Sequence, residues 1–136
     1  MNSKHILTNK INQLVEKTKS DSRILAVYLF GSILTENFND KSDTDVCLVL
    51  APQASHTPYH SAKLSEIKLH YLKNFELDIQ IFQQIPIYIR KRVLKEGRLL
   101  YCKDEDKLYE LASRHIREYA DFEHIYRDFL ETVKYG

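Results

Sequence analysis

The sequence predicts an α/β domain: a small mixed sheet flanked by helices, with a long helix at the C-terminal end. Three observations point there. Residues 24–30 (ILAVYLF) and 45–50 (DVCLVL) are nearly continuous apolar runs, with the length and residue types of buried strands. The segments around them carry apolar residues at spacings of three and four, as amphipathic helices do. The chain has 136 residues, 43% of them apolar, which suits a single domain over residues 1–136 with one core.

Ser3 is placed to cap a first helix running to about Lys19, with Leu7, Ile11, Leu14, Val15 and Thr18 on one face. Asp21-Ser22 ends it, and the first strand runs from Ile24 to Phe30. Gly31-Ser32 opens a short segment of one or two helical turns through Glu36, and residues 37–42 (NFNDKS) are turn-forming. After the second strand and a loop, Pro58 suits the first position of a helix that runs to about Lys73, with Leu64, Ile67, Tyr71 and Leu72 inward. Residues 77–82 (LDIQIF) alternate and form a third strand. Pro86 begins another helix that Gly97 is placed to end, and residues 99–102 form a short strand. The last helix spans residues 104 to about 134, with Leu108, Leu111, Ala112, Tyr119, Phe122, Phe129 and Val133 as candidate inward residues; its length exceeds what so small a domain needs, so one of its faces also suits a partner helix or oligomerisation.

The net charge of +1 supplies no broad basic field, so no nucleic acid is expected as a direct partner. The run Arg90-Lys91-Arg92, with Lys95 and Arg98, reads as a solvated helix face. Cys47 and Cys102 show no metal-ligand spacing and read as two buried thiols. The histidines show no ligand spacing either, and surface positions suffice for them. No apolar stretch has membrane-spanning length and the N-terminus lacks a secretion signal's apolar core, so a cytoplasmic protein without a membrane partner is expected.

The chemistry concentrates between residues 24 and 50. A buried strand delivers the chain to Gly31-Ser32; ten residues follow, and then Asp43-Thr44-Asp45 leads into the next strand. A glycine there lets the backbone approach a ligand, and a serine at a helical start offers a hydroxyl beside free N–H groups that attract phosphate. Asp43 and Asp45, two apart on a strand, point to one face. Close carboxylates repel unless a cation lies between them, and magnesium takes hard oxygen ligands of this kind. If the third strand pairs beside the second, Asp78 completes a site for two metals, roughly 3.5–4 Å apart in such centres. Glu76, on the same face of that strand, is the substitute. With each fixed residue used at roughly one position in twenty, the spacing arises by chance on the order of once per thousand chains of this length.

Gly-Ser, ten residues and Asp-x-Asp resemble the nucleotidyltransferase superfamily of DNA polymerase β. The short length, the acid at Asp78 and the stretch from Val93 to Tyr101 resemble its minimal members, the MNT antitoxins encoded beside HEPN-domain ribonuclease toxins. This resemblance implies a polymerase β-like fold and a protein adenylyltransferase that moves AMP from ATP to a tyrosine of a HEPN toxin held in a hetero-oligomer. It implies that Gly31 and Ser32 hold the triphosphate, that Asp43, Asp45 and Asp78 bind Mg²⁺, and that Asp78 stands near the incoming hydroxyl. The sequence departs from the family pattern in two places. Residues 33–37 (ILTEN) lack an Arg-Gly, and Thr44 replaces an aliphatic residue between the aspartates. Two other functions stay open: transfer to a small molecule or an RNA 3′ end, and neutralisation of a toxin by binding without catalysis.

Overall fold

β1 (Ile24–Gly31) is one of two inner strands on which the domain is built. Its residues from Ile24 to Leu29 are all buried, and it is paired on both edges. On one edge it runs antiparallel to β2 (Thr44–Leu50), with Tyr28 opposite Cys47 and Phe30 opposite Asp45. On the other it pairs antiparallel with β4 (Arg98–Cys102). β3 (Asp78–Ile81) lies parallel to β2, which gives the order β3–β2–β1–β4 and a mixed sheet. The computed structural model describes residues 3–31, 44–52, 60–75 and 77–135.

Alternation along the strands divides the core between two faces. One face carries Val27, Leu29, Val46, Leu48, Leu50, Ile79 and Ile81. Helix α1 (Ser3–Lys19) covers it with Ile11 and Leu14, and α2 (His60–Phe75) with Leu64, Ile67 and Tyr71. The opposite face carries Leu25, Tyr28, Cys47 and Val49. It is covered by Phe82, by Val93 of α3 (Ile87–Glu96) and by Leu108 of α4 (Glu105–Tyr135). Each fully buried aliphatic or aromatic side chain here contributes about 1.5–3 kcal/mol relative to exposure. Gln83, in the 3₁₀ turn Phe82–Gln84 that follows β3, extends the sheet with its side chain: Leu50 N–H donates to Oε1 (3.1 Å) and Nε2 donates to the Leu50 carbonyl (3.0 Å). No helix among the described residues is long and apolar enough to cross a membrane.

The elements follow the sequence expectations closely, and four details differ. Leu72 is exposed, because the inward face of α2 is set by Leu64, Ile67 and Tyr71 and position 72 lies about 100° further round. Phe122, Phe129 and Val133 are exposed as well: α4 is about 46 Å long, and its far half runs past everything the domain can lay against it. Gly97 ends α3 as expected, with extended backbone (φ −70°, ψ 156°). Its lack of a Cβ matters for space, since a Cβ would lie 2.4 Å from the Val93 carbonyl oxygen. Arg90 and His115 are not on a solvated face. Arg90 Nη1 donates to His115 Nδ1 (2.8 Å), the imidazole packs edge-on against Phe82, and the His115 side chain is 12% exposed. Cys102 is half-buried where a buried thiol was expected, while Cys47 is fully buried. The helix start at Pro58 and the turns expected over residues 32–42 lie outside the described residues.

Candidate active site

The pairing of β2 with β3 brings two of the candidate carboxylates together. Asp45 stands directly opposite Asp78 in the parallel ladder, and Phe30 stands opposite Asp45 in the antiparallel one. Strands lie about 4.8 Å apart, so the three residues form one row across β1, β2 and β3. Alternation places Asp45 on the face that carries Cys47 and Val49, and Asp78 with Gln80 opposite the buried Ile79 and Ile81. The two acids therefore share a face and an end of the sheet. The electrostatics agree with this placement. Burial and then the Asp45 charge push the Cys47 thiol up to about 12, so that sulfur stays a protonated, inert filler.

Gly31 is the last residue of β1, opposite Thr44, at the same end of the sheet. Its φ of 108° is a value that L side chains rarely adopt, so glycine is required there by backbone conformation. The chain leaves the sheet at this point with an uncovered backbone, beside Asp45. Asp45 is half-buried and Asp78 is exposed, which leaves the row open to a ligand. Ser32, Asp43 and Glu76 lie outside the described residues. Among the described residues no group of three or more His, Cys, Asp or Glu side chains forms a metal cage, and the described part of the site holds two carboxylates.

Phe30 is a candidate site residue that sequence reasoning left as a strand end. Half-buried beside Asp45, it supplies an apolar wall to an otherwise polar row. The signal that could have found it is its position, one residue before Gly31 on a strand whose pairing aligns it with the acid. A cleft of about 440 Å³ lined by Ser22, Ile24, Leu25, Ala51, Lys103, Asp104 and Lys107 lies at the opposite end of the sheet. Two of its polar side chains are already engaged in structure: Asp104 caps α4 by accepting from the Lys107 N–H, and Lys103 donates to the Asp21 carbonyl.

Known proteins share this fold. The family described as "Polymerase beta, Nucleotidyltransferase" matches residues 9–106, a span that includes Gly31, Asp45 and Asp78. A protein of Methanocaldococcus jannaschii named "Putative protein adenylyltransferase MJ1547" is 25% identical over 113 residues, covering 83% of this chain and 78% of that one. Among solved structures, a toxin-antitoxin structure with AMP-PNP superposes with a TM-score of 0.64 at 18% identity, covering 93% of this chain and 97% of that one. The complex of a tri-AMPylated Shewanella oneidensis HEPN toxin with its MNT antitoxin gives 0.61 at 16% identity, over 96% and 98% of the two chains. At these identities the structures establish a shared fold. The profile match, over well more than half of the chain, establishes the kinship: this protein belongs to the polymerase beta nucleotidyltransferase family.

Proposed function

We propose that this nucleotidyltransferase is the antitoxin of a HEPN toxin and acts as a protein adenylyltransferase, moving AMP from ATP to a tyrosine of that toxin. The observation that carries the reading is the facing pair Asp45 and Asp78 beside Gly31. The likeness to a protein named as an adenylyltransferase and to antitoxin complexes supports the acceptor and the partner. The free thiols Cys47 and Cys102 suit a reducing cytoplasm.

The donor set fits magnesium: hard carboxylate oxygens from adjacent strands, converging on one face and open to solvent. Asp45 and Asp78, with Asp43 from the segment before β2, would hold Mg²⁺, which supplies charge neutralisation for the triphosphate and for the leaving pyrophosphate. Gly31 and Ser32 hold the triphosphate through backbone N–H groups and a hydroxyl. Phe30 bounds the site with an apolar wall beside Asp45. The tyrosine oxygen forms a bond to the α-phosphorus as the bond to the β-phosphate oxygen breaks and pyrophosphate leaves. The phenol proton has a pKa near ~10 and needs an acceptor at neutral pH; Asp78, the exposed member of the pair, takes it.

The test is the intact mass of the toxin after incubation with this protein, ATP and magnesium, beside an Asp45→Ala control. Addition of one or more AMP units that the control lacks supports the reading. An unmodified toxin in a stable complex makes the protein a binding-only antitoxin. Neither modification nor complex directs attention to small-molecule and RNA acceptors.

A further inference from the structure

α4 carries one apolar seam that changes surroundings halfway along. Leu108, Ala112, His115, Tyr119, Phe122, Tyr126, Phe129 and Val133 follow at alternating intervals of four and three, a heptad repeat sustained over the whole helix. The first half of the seam is used by the domain itself. Leu108 is buried in the core, His115 packs on Phe82 and bonds Arg90, and Lys91 lies 4.1 Å over the Tyr119 ring. The second half is bare, with Phe122, Tyr126, Phe129 and Val133 between 43% and 66% exposed. Ile125 and Leu130 flank this bare half and are also exposed.

We infer that the distal half of α4 is a dimerisation surface that pairs antiparallel with the same segment of a second copy of this chain. A 3.5-residue seam is read by another helix, because only a helix keeps knobs and holes in step along it. One register uses every bare position and disturbs none of the filled ones: Phe122 against Val133, and Tyr126 against Phe129, each contact occurring twice about a two-fold axis. Shifting by one heptad either displaces Arg90 and Lys91 from His115 and Tyr119 or leaves half the stripe uncovered. The pairing is isologous and closes at two copies. The two domains lie at opposite ends of the paired segment, since each α4 is docked on its own domain through its first half.

Area and charge favour the same occupant. An aromatic side chain offers about 150–250 Å², and the exposed fractions along the stripe, together with those of the flanking Ile125 and Leu130, put roughly 600 Å² of mostly apolar surface on each copy. That approaches the ~800 Å² per partner of a standard interface. The positions flanking the bare seam are Glu123, Ile125, Leu130 and Thr132, so a single charge lies where partner choice is normally encoded. Such a rim does not oppose self-pairing and does not select a partner of opposite charge. The anchored first half keeps the helix formed before association, which lowers the ordering cost. This inference concerns a helix face that includes none of the site carboxylates and holds whatever the acceptor of the reaction.

Sedimentation of the purified full-length protein over a concentration series tests it. A monomer–dimer equilibrium with a dissociation constant on the order of micromolar is expected. Phe129→Glu weakens it at least about tenfold with unchanged helical circular dichroism, since the replaced side chain is exposed. Tyr126→Lys chains are weakened alike. Mixing the two variants restores dimers, because the register sets position 126 of one copy against position 129 of the other, so the introduced charges meet as opposites. A monomer at every concentration, including one whose stripe is covered only by the toxin, overturns the inference. So does a mixture of the two variants that stays monomeric.

Discussion

The sheet carries acids at both ends, and the two ends treat them in opposite ways. Asp21, just before β1, is surrounded by donors. Arg23 Nε and Nη2 donate at 2.9 and 2.8 Å, the Arg23 backbone N–H at 3.0 Å, and the Tyr71 hydroxyl at 2.8 Å. Burial alone would raise this carboxyl, which is 11% exposed, yet the bonds from Arg23 and Tyr71 outweigh it and hold the group well below the usual carboxylate range. The same contact, after burial, raises the Tyr71 hydroxyl above the ordinary phenol range. At the other end Asp45 faces Asp78, like charge beside like charge. An acid that holds a fold together is supplied with its counter-charge by the chain. Under the proposed function, the acids at this second end would face a cation that arrives from outside.

The contrast can be broken from either end. The largest expected effect is on catalysis: Asp45→Asn or Asp78→Asn lowers adenylyl transfer by about 10²-fold or more, measured as AMP incorporation at saturating ATP. Thermal stability stays the same in Asp78→Asn, because that side chain is exposed. Asp21→Asn does the reverse. It costs about 1.5–3 kcal/mol in urea unfolding by weakening charge-assisted bonds, and leaves the specific activity of the folded fraction intact. Magnesium sharpens the comparison further. Saturating Mg²⁺ at about 100 times its dissociation constant stabilises the wild type by ~2.7 kcal/mol, and an Asp45→Asn, Asp78→Asn double variant loses that gain.

A smaller effect belongs to pH. The folded pKa of Asp21 is depressed, so its contribution is complete above the unfolded value of 3.8 and drains as pH falls below it. His115 is lowered from 6.5 by burial and then by Arg90, with Arg114 acting in the same direction and Glu118 opposing. Its neutral form is favoured in the fold, so its contribution is complete above 6.5 and drains as pH falls below that value. Urea midpoints measured from pH 8 to 3 therefore decline gently below about 6.5 and more steeply below about 4. The His115→Gln variant loses the first decline and keeps the second.

Much of this molecule is legible in the sequence because burial dictates residue type. The runs over residues 24–30 and 45–50 admit no polar side chain between Val46 and Leu50 or between Ile24 and Phe30, apart from the tyrosine hydroxyl and the thiol, and both form inner strands. The pairing of β3 beside β2 is the condition for Asp78 to join Asp45, and periodicity alone does not contain it, since strand order is a tertiary property. Phe30 escapes notice for the same reason: its relation to Asp45 exists only across strands. On the distal part of α4, Phe122, Phe129 and Val133 read equally as core or as a face for a partner, because a heptad seam looks alike whether its partner lies within the chain or outside it. His115 and Arg90 read as surface groups because their polarity hides a contact made across α3 and α4. Gly97 reads correctly as a helix end, while the constraint that keeps it glycine is the nearness of a carbonyl oxygen, which no spacing rule reports.

The mixed character of the sheet has a consequence in time. β1 and β2 are antiparallel neighbours in sequence, whereas β3 reaches β2 in parallel only after the crossover through α2. The pairing that sets Asp78 against Asp45 thus has the higher contact order and the greater loop-closure cost. A chain emerging from the ribosome can align Gly31 with Thr44 long before it can align the two aspartates. Catalytic competence is then acquired late, as a by-product of finishing the sheet. In a refolding time course, transferase activity should trail the first gain of β-structure.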